Sequence, residues 1–209
     1  INSSKNLRII GRAGVGVDNV DVKAATQKGV LVVNSPGGNT IAAAEHTIAM
    51  MLALSRNIPV ANSSMFKGKW ERKKFVGNEL FKKKLGVVGL GKIGTHVAKV
   101  ANAMGMEVLG YDPFVSNERA QQLQVKLSEL DILFQESDYV TLHLPRTVET
   151  ENLVNMKVLK SMKNTSKLIN CARGGIIDED ALAEALNKSL IGGAAIDVYS
   201  EEPLNGNSP

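Results

Sequence analysis

"LGVVGLGKIGTHVAKVANAMGMEVLGYD", residues 85–112, decides how this chain must fold. An apolar run breaks at Gly89, resumes as an amphipathic stretch, and ends in a second apolar run closed by Asp112. Gly89, Gly91 and Gly94 space out as G-x-G-x-x-G. Alone that pattern is weak, but here it follows a strand, opens a helix and sits inside a β-α-β unit. In that context the first glycine makes a tight turn, the second lets backbone approach a diphosphate, and the third lets helix pack on strand. The N-terminus of the helix then favours the phosphate charge. Lys92 and Ile93 complete the turn.

An acid is required about 20 residues further on, at the end of the next strand. Asp112 stands there, 18 residues past Gly94. A carboxylate in that place accepts from a ribose 2′-hydroxyl and repels a 2′-phosphate. Pro113 and Phe114 follow, with no arginine to receive such a phosphate. NAD is therefore the expected cofactor, rather than NADP. The competing reading is a plain glycine turn with a capping aspartate.

The pattern continues outward in both directions. Strands are expected at "LRII" (7–10), "VLVVN" (30–34), "LGVVG", "EVLGYD", "YVTLHLP", "KLINCA" and "IGGAAIDVY". Helices are expected at 20–29, 39–56, 93–104, 117–123, 128–135, 155–161 and 179–187. Asn39, or Thr40 as N-cap, starts the long second helix, whose many apolar positions predict burial on most sides. Residues 66–84, "FKGKWERKKFVGNELFKKK", read as a basic surface excursion. Continuous apolar strands separated by helices predict an α/β fold, a Rossmann-type doubly wound parallel sheet covered on both faces.

Composition narrows the function classes. Hydrophobic residues make up 44% of the 209, which fits a globular domain and excludes a disordered or fibrous one. A net charge of +4 favours anionic ligands weakly and does not require nucleic acid. The single cysteine, Cys171, excludes an internal disulfide framework and fits a reducing, cytoplasmic setting. "TIAMMLAL" is about the longest apolar run, short of the roughly 18 residues a membrane span needs. Opening on Ile1 and closing on "EEPLNGNSP" just after a strand, the sequence reads as a piece of a longer protein. No metal, nucleic-acid or membrane partner is expected.

In an open α/β sheet, ligands bind beyond the carboxyl ends of the strands. "KLINCARGG" places Arg173 there, where a guanidinium can grip a carboxylate with two parallel hydrogen bonds. Gly174 and Gly175 would turn the backbone away without crowding a ligand. The next strand end presents Asp197, Glu201 and Glu202. An acid there could orient a histidine base; an exposed acidic turn is the alternative for the two glutamates.

At these residues the chain resembles the D-isomer-specific 2-hydroxyacid dehydrogenases. The resemblance runs through "GRAGVGVDNVD", "EHTIAMMLALSRNIP", "GKWERKKF", "GLGKIG", "YDP", "NCARGGIIDE" and "GGAAIDVYSEEP". It implies two α/β lobes with the NAD lobe inserted into the substrate lobe and the active site between them. Residues 1–36 would be the end of the first substrate-lobe segment, and 37–209 most of the NAD lobe. It further implies that Arg173 binds the substrate carboxylate and keto oxygen, that Glu202 pairs with a catalytic histidine, and that Asp197 meets the nicotinamide carboxamide. Gly89, Gly91, Lys92, Ile93, Gly94, Asp112, Pro113, His143, Pro145 and Cys171 would complete the cofactor site. Val15 and Gly16 would offer backbone N–H groups to the carboxylate. Arg12 and Asn39 would help hold substrate, Arg12 being suited to a phosphate. The first three stretches and the cysteine of "NCARGG" point within the family to 3-phosphoglycerate as substrate, oxidised in the first step towards serine. The alternatives are another D-2-hydroxy acid (glyoxylate/hydroxypyruvate or D-lactate) and a non-enzymatic NAD-sensing scaffold of the corepressor type.

His46, His96 and His143 are the three histidines, and none occupies the family's catalytic place. His46 reads as packed or surface, His96 as outward on the dinucleotide-binding helix, and His143 as lining the cofactor cleft. The catalytic base is thus expected beyond residue 209, so that the chain alone binds NAD but turns over poorly or not at all. Hydride transfer needs no nucleophile, so Cys171 reads as a small packed residue. Trp70 and Phe75 lack the regular aromatic interleaving of a nucleic-acid patch, and the basic stretch reads as solvated surface or subunit contact. The family's habit implies a homo-oligomer for the parent protein.

Overall fold

The computed structural model describes residues 1–17, 19–204 and 206. Asp18, from the "GRAGVGVDNVD" stretch, and residues 205 and 207–209 lie outside that description. The chain divides into two compact units, Ile1–Ala42 and Ala43–Pro209.

In the first unit, β1 (Ile9–Arg12), α1 (Val22–Gln27) and β2 (Leu31–Asn34) make one β-α-β turn. The strands pair in parallel, Ile9 with Leu31 through Arg12 with Asn34. Asp21 caps α1 by accepting from the Ala24 N–H at 2.8 Å, and Gly29 takes the left-handed conformation that ends it. Strand β1 lies two residues later than the apolar run "LRII". Pairing with β2, rather than hydrophobicity, sets its ends.

The division between units falls in the first turn of α2 (Thr40–Ser55). Burial of α2 on most sides is not what the structure shows. Its buried residues are Ala44, Thr47, Met51 and Ser55, a single stripe at three- and four-residue spacing. Ile48, Met50, Leu52 and Leu54 flank that stripe, partly buried against the same core, while Ile41, Ala42, Glu45, His46 and Ala49 are exposed. The buried hydroxyls of Thr47 and Ser55 donate to the carbonyls of Ala43 and Met51. Beyond Asn57, whose left-handed backbone breaks the helix, α3 (Ile58–Phe66) begins with a proline in its first turn. The sequence pattern gave no sign of this helix. Residues 66–84 are largely exposed, with Phe66 and Trp70 at 86% and 79%, and Leu80 buried among them.

The second unit then alternates without interruption. In order come β3 (Lys84–Val88), α4 (Lys92–Ala103), β4 (Glu107–Tyr111), α5 (Asn117–Gln122), β5 (Lys126–Leu127), α6 (Leu130–Glu136) and β6 (Tyr139–Leu142). After these come α7 (Met156–Ser161), β7 (Lys167–Asn170), α8 (Glu179–Asn187) and β8 (Gly193–Ile196). All six strands β3–β8 pair in parallel, in the spatial order β5-β4-β3-β6-β7-β8. That is the doubly wound order, reversing direction at β3. Two-residue β5 is too short to show in the sequence; pairing with β4 is what makes it a strand.

Side chains alternate across the sheet and feed two cores. Leu168 packs with Leu133, Phe134, Leu142 and Leu159 on one face. Its neighbour Ile169 packs with Met51, Leu85, Val87 and Val97 on the other. At the amino edge, Asp138 ties three strands together. Its Oδ2 accepts from the Lys84 N–H at 2.9 Å, its Oδ1 from Lys163 Nζ at 2.8 Å, and its carbonyl from the Lys167 N–H at 3.0 Å.

Burial alone would raise the Asp138 carboxyl, but the Lys163 ammonium and the Lys84 N–H together hold it below the usual carboxylate range. A carboxyl lowered on folding stabilises the folded state above its unfolded value of about 3.9 and loses that contribution as pH falls through its folded value. Asp138→Ala should cost about 1–3 kcal/mol at neutral pH. The deficit should shrink towards pH 3, measured by urea unfolding of both proteins across that range.

Candidate active site

The register of the sheet levels its carboxyl ends. Tyr111, Val88, Leu142, Asn170 and Ile196 are successive cross-strand partners, and each is the last residue of its strand. The next residues of those strands are Asp112, Gly89, His143, Cys171 and Asp197. Five candidates scattered over 109 positions of sequence thereby form one row along the sheet edge. Backbone bonds carry the ladder into that row: Gly89 N–H to Tyr111 O at 2.8 Å, His143 N–H to Val88 O at 2.8 Å and Asp197 N–H to Asn170 O at 3.0 Å.

The glycine loop shows three different spatial constraints. Gly89 has φ +97°, and a Cβ there would sit 2.6 Å from the His143 carbonyl oxygen. A Cβ on Gly94 would fall 2.0 Å from the Gly89 oxygen, so α4 can approach β3 only through glycine. A Cβ on Gly91 would meet nothing within 4 Å. Gly91 is also the N-cap of α4 and has no side-chain cap. The open space lies where the helix leaves its first N–H groups to a ligand, which fits a diphosphate. Lys92 is exposed and Ile93 half-buried beside it.

Asp112 holds the loop as well as facing it. Its Oδ2 accepts from the Leu90 N–H at 2.8 Å and its Oδ1 from the Phe114 N–H at 2.9 Å. Each oxygen keeps a further lone pair, so a ribose hydroxyl fits without breaking either bond. Pro113 is exposed next to it.

On the other side of β3, His143 is half-buried, its Nε2 3.0 Å from Thr141 Oγ1. Burial pushes the imidazole down to about 4, so it is neutral at physiological pH. Pro145 is exposed two residues on, its carbonyl accepting from the Thr150 hydroxyl at 2.7 Å. Burial pushes the Cys171 thiol up to about 11, against a hydrogen bond from Thr47 and with the added repulsion of Asp197. It is a thiol, not a thiolate, at neutral pH.

Arg173 is half-buried, with Nη1 donating to the Ala172 carbonyl at 2.6 Å. Its loop is organised by Asn170, buried at the end of β7. The Asn170 Nδ2 donates to the Arg173 carbonyl at 2.9 Å, and its Oδ1 accepts from the Ala172 N–H at 3.0 Å. A polar residue closing an apolar run was the available signal for Asn170. Gly174 and Gly175 are required by the protein's own packing. A Cβ on Gly174 would lie 1.7 Å from the Tyr199 carbonyl oxygen, and one on Gly175 2.8 Å from the Arg146 guanidinium. Glu202 is exposed, its Oε1 accepting from the Tyr199 N–H at 2.9 Å.

Asp197 has a partner that sequence reasoning missed. His46 Nε2, from α2, lies 3.2 Å from Asp197 Oδ1, both side chains being 47% exposed. No local signal joins residues so far apart. His96 is half-buried on α4. A groove of about 690 Å³, lined among others by Met50, Leu54, Val60, Leu182 and Leu186, touches none of the five row residues.

The remaining candidates belong to the first unit. Arg12 ends β1, and its Nε donates to Asn19 Oδ1 at 3.1 Å. The Val15 carbonyl accepts from Asn34 Nδ2 at 2.8 Å, with half-buried Gly16 following. Asn39 is exposed just before α2.

A doubly wound sheet with a glycine-rich first turn, an open helix N-terminus and an acid at the second strand end defines a dinucleotide-binding domain. Residues 48–209 match the pattern of the D-isomer specific 2-hydroxyacid dehydrogenase NAD binding domain. The chain belongs to that family, and this unit is its NAD-binding domain. It is 62% identical over 98% of its length to a D-3-phosphoglycerate dehydrogenase from Synechocystis. It is 55% identical over its full length to one from Archaeoglobus fulgidus. It spans only 37% and 40% of those two proteins. Among solved structures, D-lactate dehydrogenase from Aquifex aeolicus, complexed with NAD and lactic acid, superposes with a TM-score of 0.86 at 36% identity. That match covers 94% of this chain and 59% of the other. A Granulicella formate dehydrogenase gives 0.91 at 29% identity, covering 97% and 55%.

The glycine loop makes a paired prediction. Gly91→Ala should change stability by less than about 1 kcal/mol, because its φ of −66° suits alanine while alanine is a poorer N-cap than glycine. It should nevertheless weaken NADH binding at least about tenfold, since a methyl crowding a bound diphosphate costs on the order of 1–3 kcal/mol. Gly94→Ala should instead lose about 1–3 kcal/mol of stability by forcing α4 off the loop. Thermal unfolding and NADH fluorescence titration of the two variants separate these effects.

Proposed function

We propose that this chain is the cofactor-binding part of an NAD-dependent dehydrogenase that oxidises 3-phosphoglycerate to 3-phosphohydroxypyruvate, in the cytoplasm, as the first step towards serine. One observation carries the dehydrogenase reading: the row Asp112, Gly89, His143, Cys171, Asp197, with Arg173 two residues beyond it. The choice of acid is supported by the relatives named D-3-phosphoglycerate dehydrogenase, which are more similar to the chain than the D-lactate dehydrogenases.

On this reading, residues 1–36 close the first segment of a substrate lobe and 37–209 form most of the NAD lobe. The open N-terminus of α4 holds the diphosphate, and Asp112 accepts from the adenosine ribose. NAD, when bound, supplies the hydride acceptor. Neutral His143, with Pro145 and Cys171, walls the nicotinamide end, where Asp197 accepts from the carboxamide. Arg173 grips the substrate carboxylate and the oxygen at C2, opposing the charge that develops there. Val15 and Gly16 add backbone donors, and Arg12 and Asn39 add side chains, Arg12 to the phosphate. Glu202 is the partner of a histidine base that takes the hydroxyl proton. On the family's pattern that base is none of His46, His96 and His143: the first two lie on helices α2 and α4, and burial makes the third a weak base, its Nε2 beside Thr141. The intact enzyme is a homo-oligomer.

The test is a full-length chimera in which these 209 residues replace the matching segment of the Synechocystis relative. NAD reduction should be selective for 3-phosphoglycerate over glycerate and D-lactate. Selectivity for an unphosphorylated acid, or no turnover with NADH still bound, would reject the substrate assignment or the activity respectively. In the same chimera Arg173→Lys should leave NADH affinity unchanged. It should lower kcat/KM about 10- to 100-fold, the loss of a charge-assisted hydrogen bond of about 1.5–3 kcal/mol.

A further inference from the structure

Three side chains of different chemistry meet at the β7–β8 end of the row. His46 comes from α2, Cys171 follows β7 and Asp197 follows β8. One ligand atom from each, an imidazole nitrogen, the Sγ and a carboxylate oxygen, lies within 4.8 Å of the other two. The His46–Asp197 separation of 3.2 Å is explained by an ion pair or hydrogen bond alone. Cys171 Sγ, which also takes a hydrogen bond from Thr47, converges on the same point and adds a third donor of different chemistry.

Nitrogen, sulfur and carboxylate oxygen are the donor set of zinc-class cations, whereas magnesium and calcium take oxygen ligands. Metal–ligand bonds of about 2.0–2.3 Å place neighbouring donors of a tetrahedron roughly 3.3–3.8 Å apart. The observed separations, up to 4.8 Å, need closing by up to about 1.5 Å on that scale. The half-exposed His46 and Asp197 have the side-chain freedom to do it. Three protein ligands leave the fourth position to water, the arrangement of an accessible rather than a purely structural site.

We propose that His46, Cys171 and Asp197 bind one zinc-class divalent cation, and that this ion excludes the nicotinamide end of NAD. Coordination displaces the thiol proton, so binding releases a proton to solvent. The exclusion rests on the proposed role of Asp197 at the carboxamide: an oxygen ligated to the metal no longer accepts from the cofactor. The site itself rests only on the three side chains. A dehydrogenase carrying it would be throttled by free zinc without any second domain.

Cobalt(II) added to the 209-residue chain should give a thiolate-to-cobalt charge-transfer band at one ion per chain, removed by zinc and untouched by magnesium. His46→Gln and Cys171→Ala should each weaken binding at least about tenfold, a loss that even outer partners of metal ligands produce. Circular dichroism identical to the parent keeps that result from being an unfolding effect, and exposed His46 is the safer variant. Absence of the band, or cobalt affinity unchanged in His46→Gln, overturns the site. NADH fluorescence on metal-free protein tests the cofactor reading separately. NADH that binds there and is displaced by zinc in the parent, but far less in His46→Gln, supports the exclusion. NADH bound equally well with zinc present overturns it. No NADH binding without metal sinks the reading beneath the exclusion, and the cobalt band alone then judges the site.

Discussion

Parallel hydrogen bonding in strict register is the constraint on which the second unit depends. Each strand end is fixed relative to its neighbour by ladder bonds, and the ladder runs one residue past β3, β6 and β8. A single slipped rung would move one member of the row by about 3.3 Å along the strand and turn its side chain to the other face. Asp138 pins the opposite edge by tying the starts of β3, β6 and β7. The precision of the row is therefore inherited from the sheet, and the loops only have to extend it.

Much of this was legible because it is written locally. The G-x-G-x-x-G turn, its acid and the alternation of strands and helices each occupy a short window, and their physics needs no distant partner. What escaped depends on contacts between distant residues. Strand β5 exists by virtue of its pairing with β4. The single buried stripe of α2 depends on which face meets the sheet. The His46–Asp197 pair is visible only once α2 and β8 are placed. For Gly174 the pattern held no sign of the atom a side chain there would meet, a backbone oxygen of the neighbouring loop.

Asp112 shows that two readings that looked like rivals are compatible. As a cap it fixes the Leu90 and Phe114 N–H groups and so shapes the glycine turn. As the acid at the second strand end it keeps acceptor capacity towards the cleft. One carboxylate both shapes the turn and keeps acceptor capacity beside it, so the two properties are coupled.

The contact between Gly174 and Tyr199 makes the two loops beyond β7 and β8 a single mechanical part. Tyr199 touches the Arg173 loop through its carbonyl and takes the Glu202 carboxylate on its N–H. Ser200 next to it is anchored to Glu179 of α8 by two hydrogen bonds. Arg173 and Glu202 are thus set on a common mount, not on independent arms. Lengthening one loop alone therefore cannot change the spacing of Arg173 and Glu202. The β7 and β8 exits can only be reshaped together.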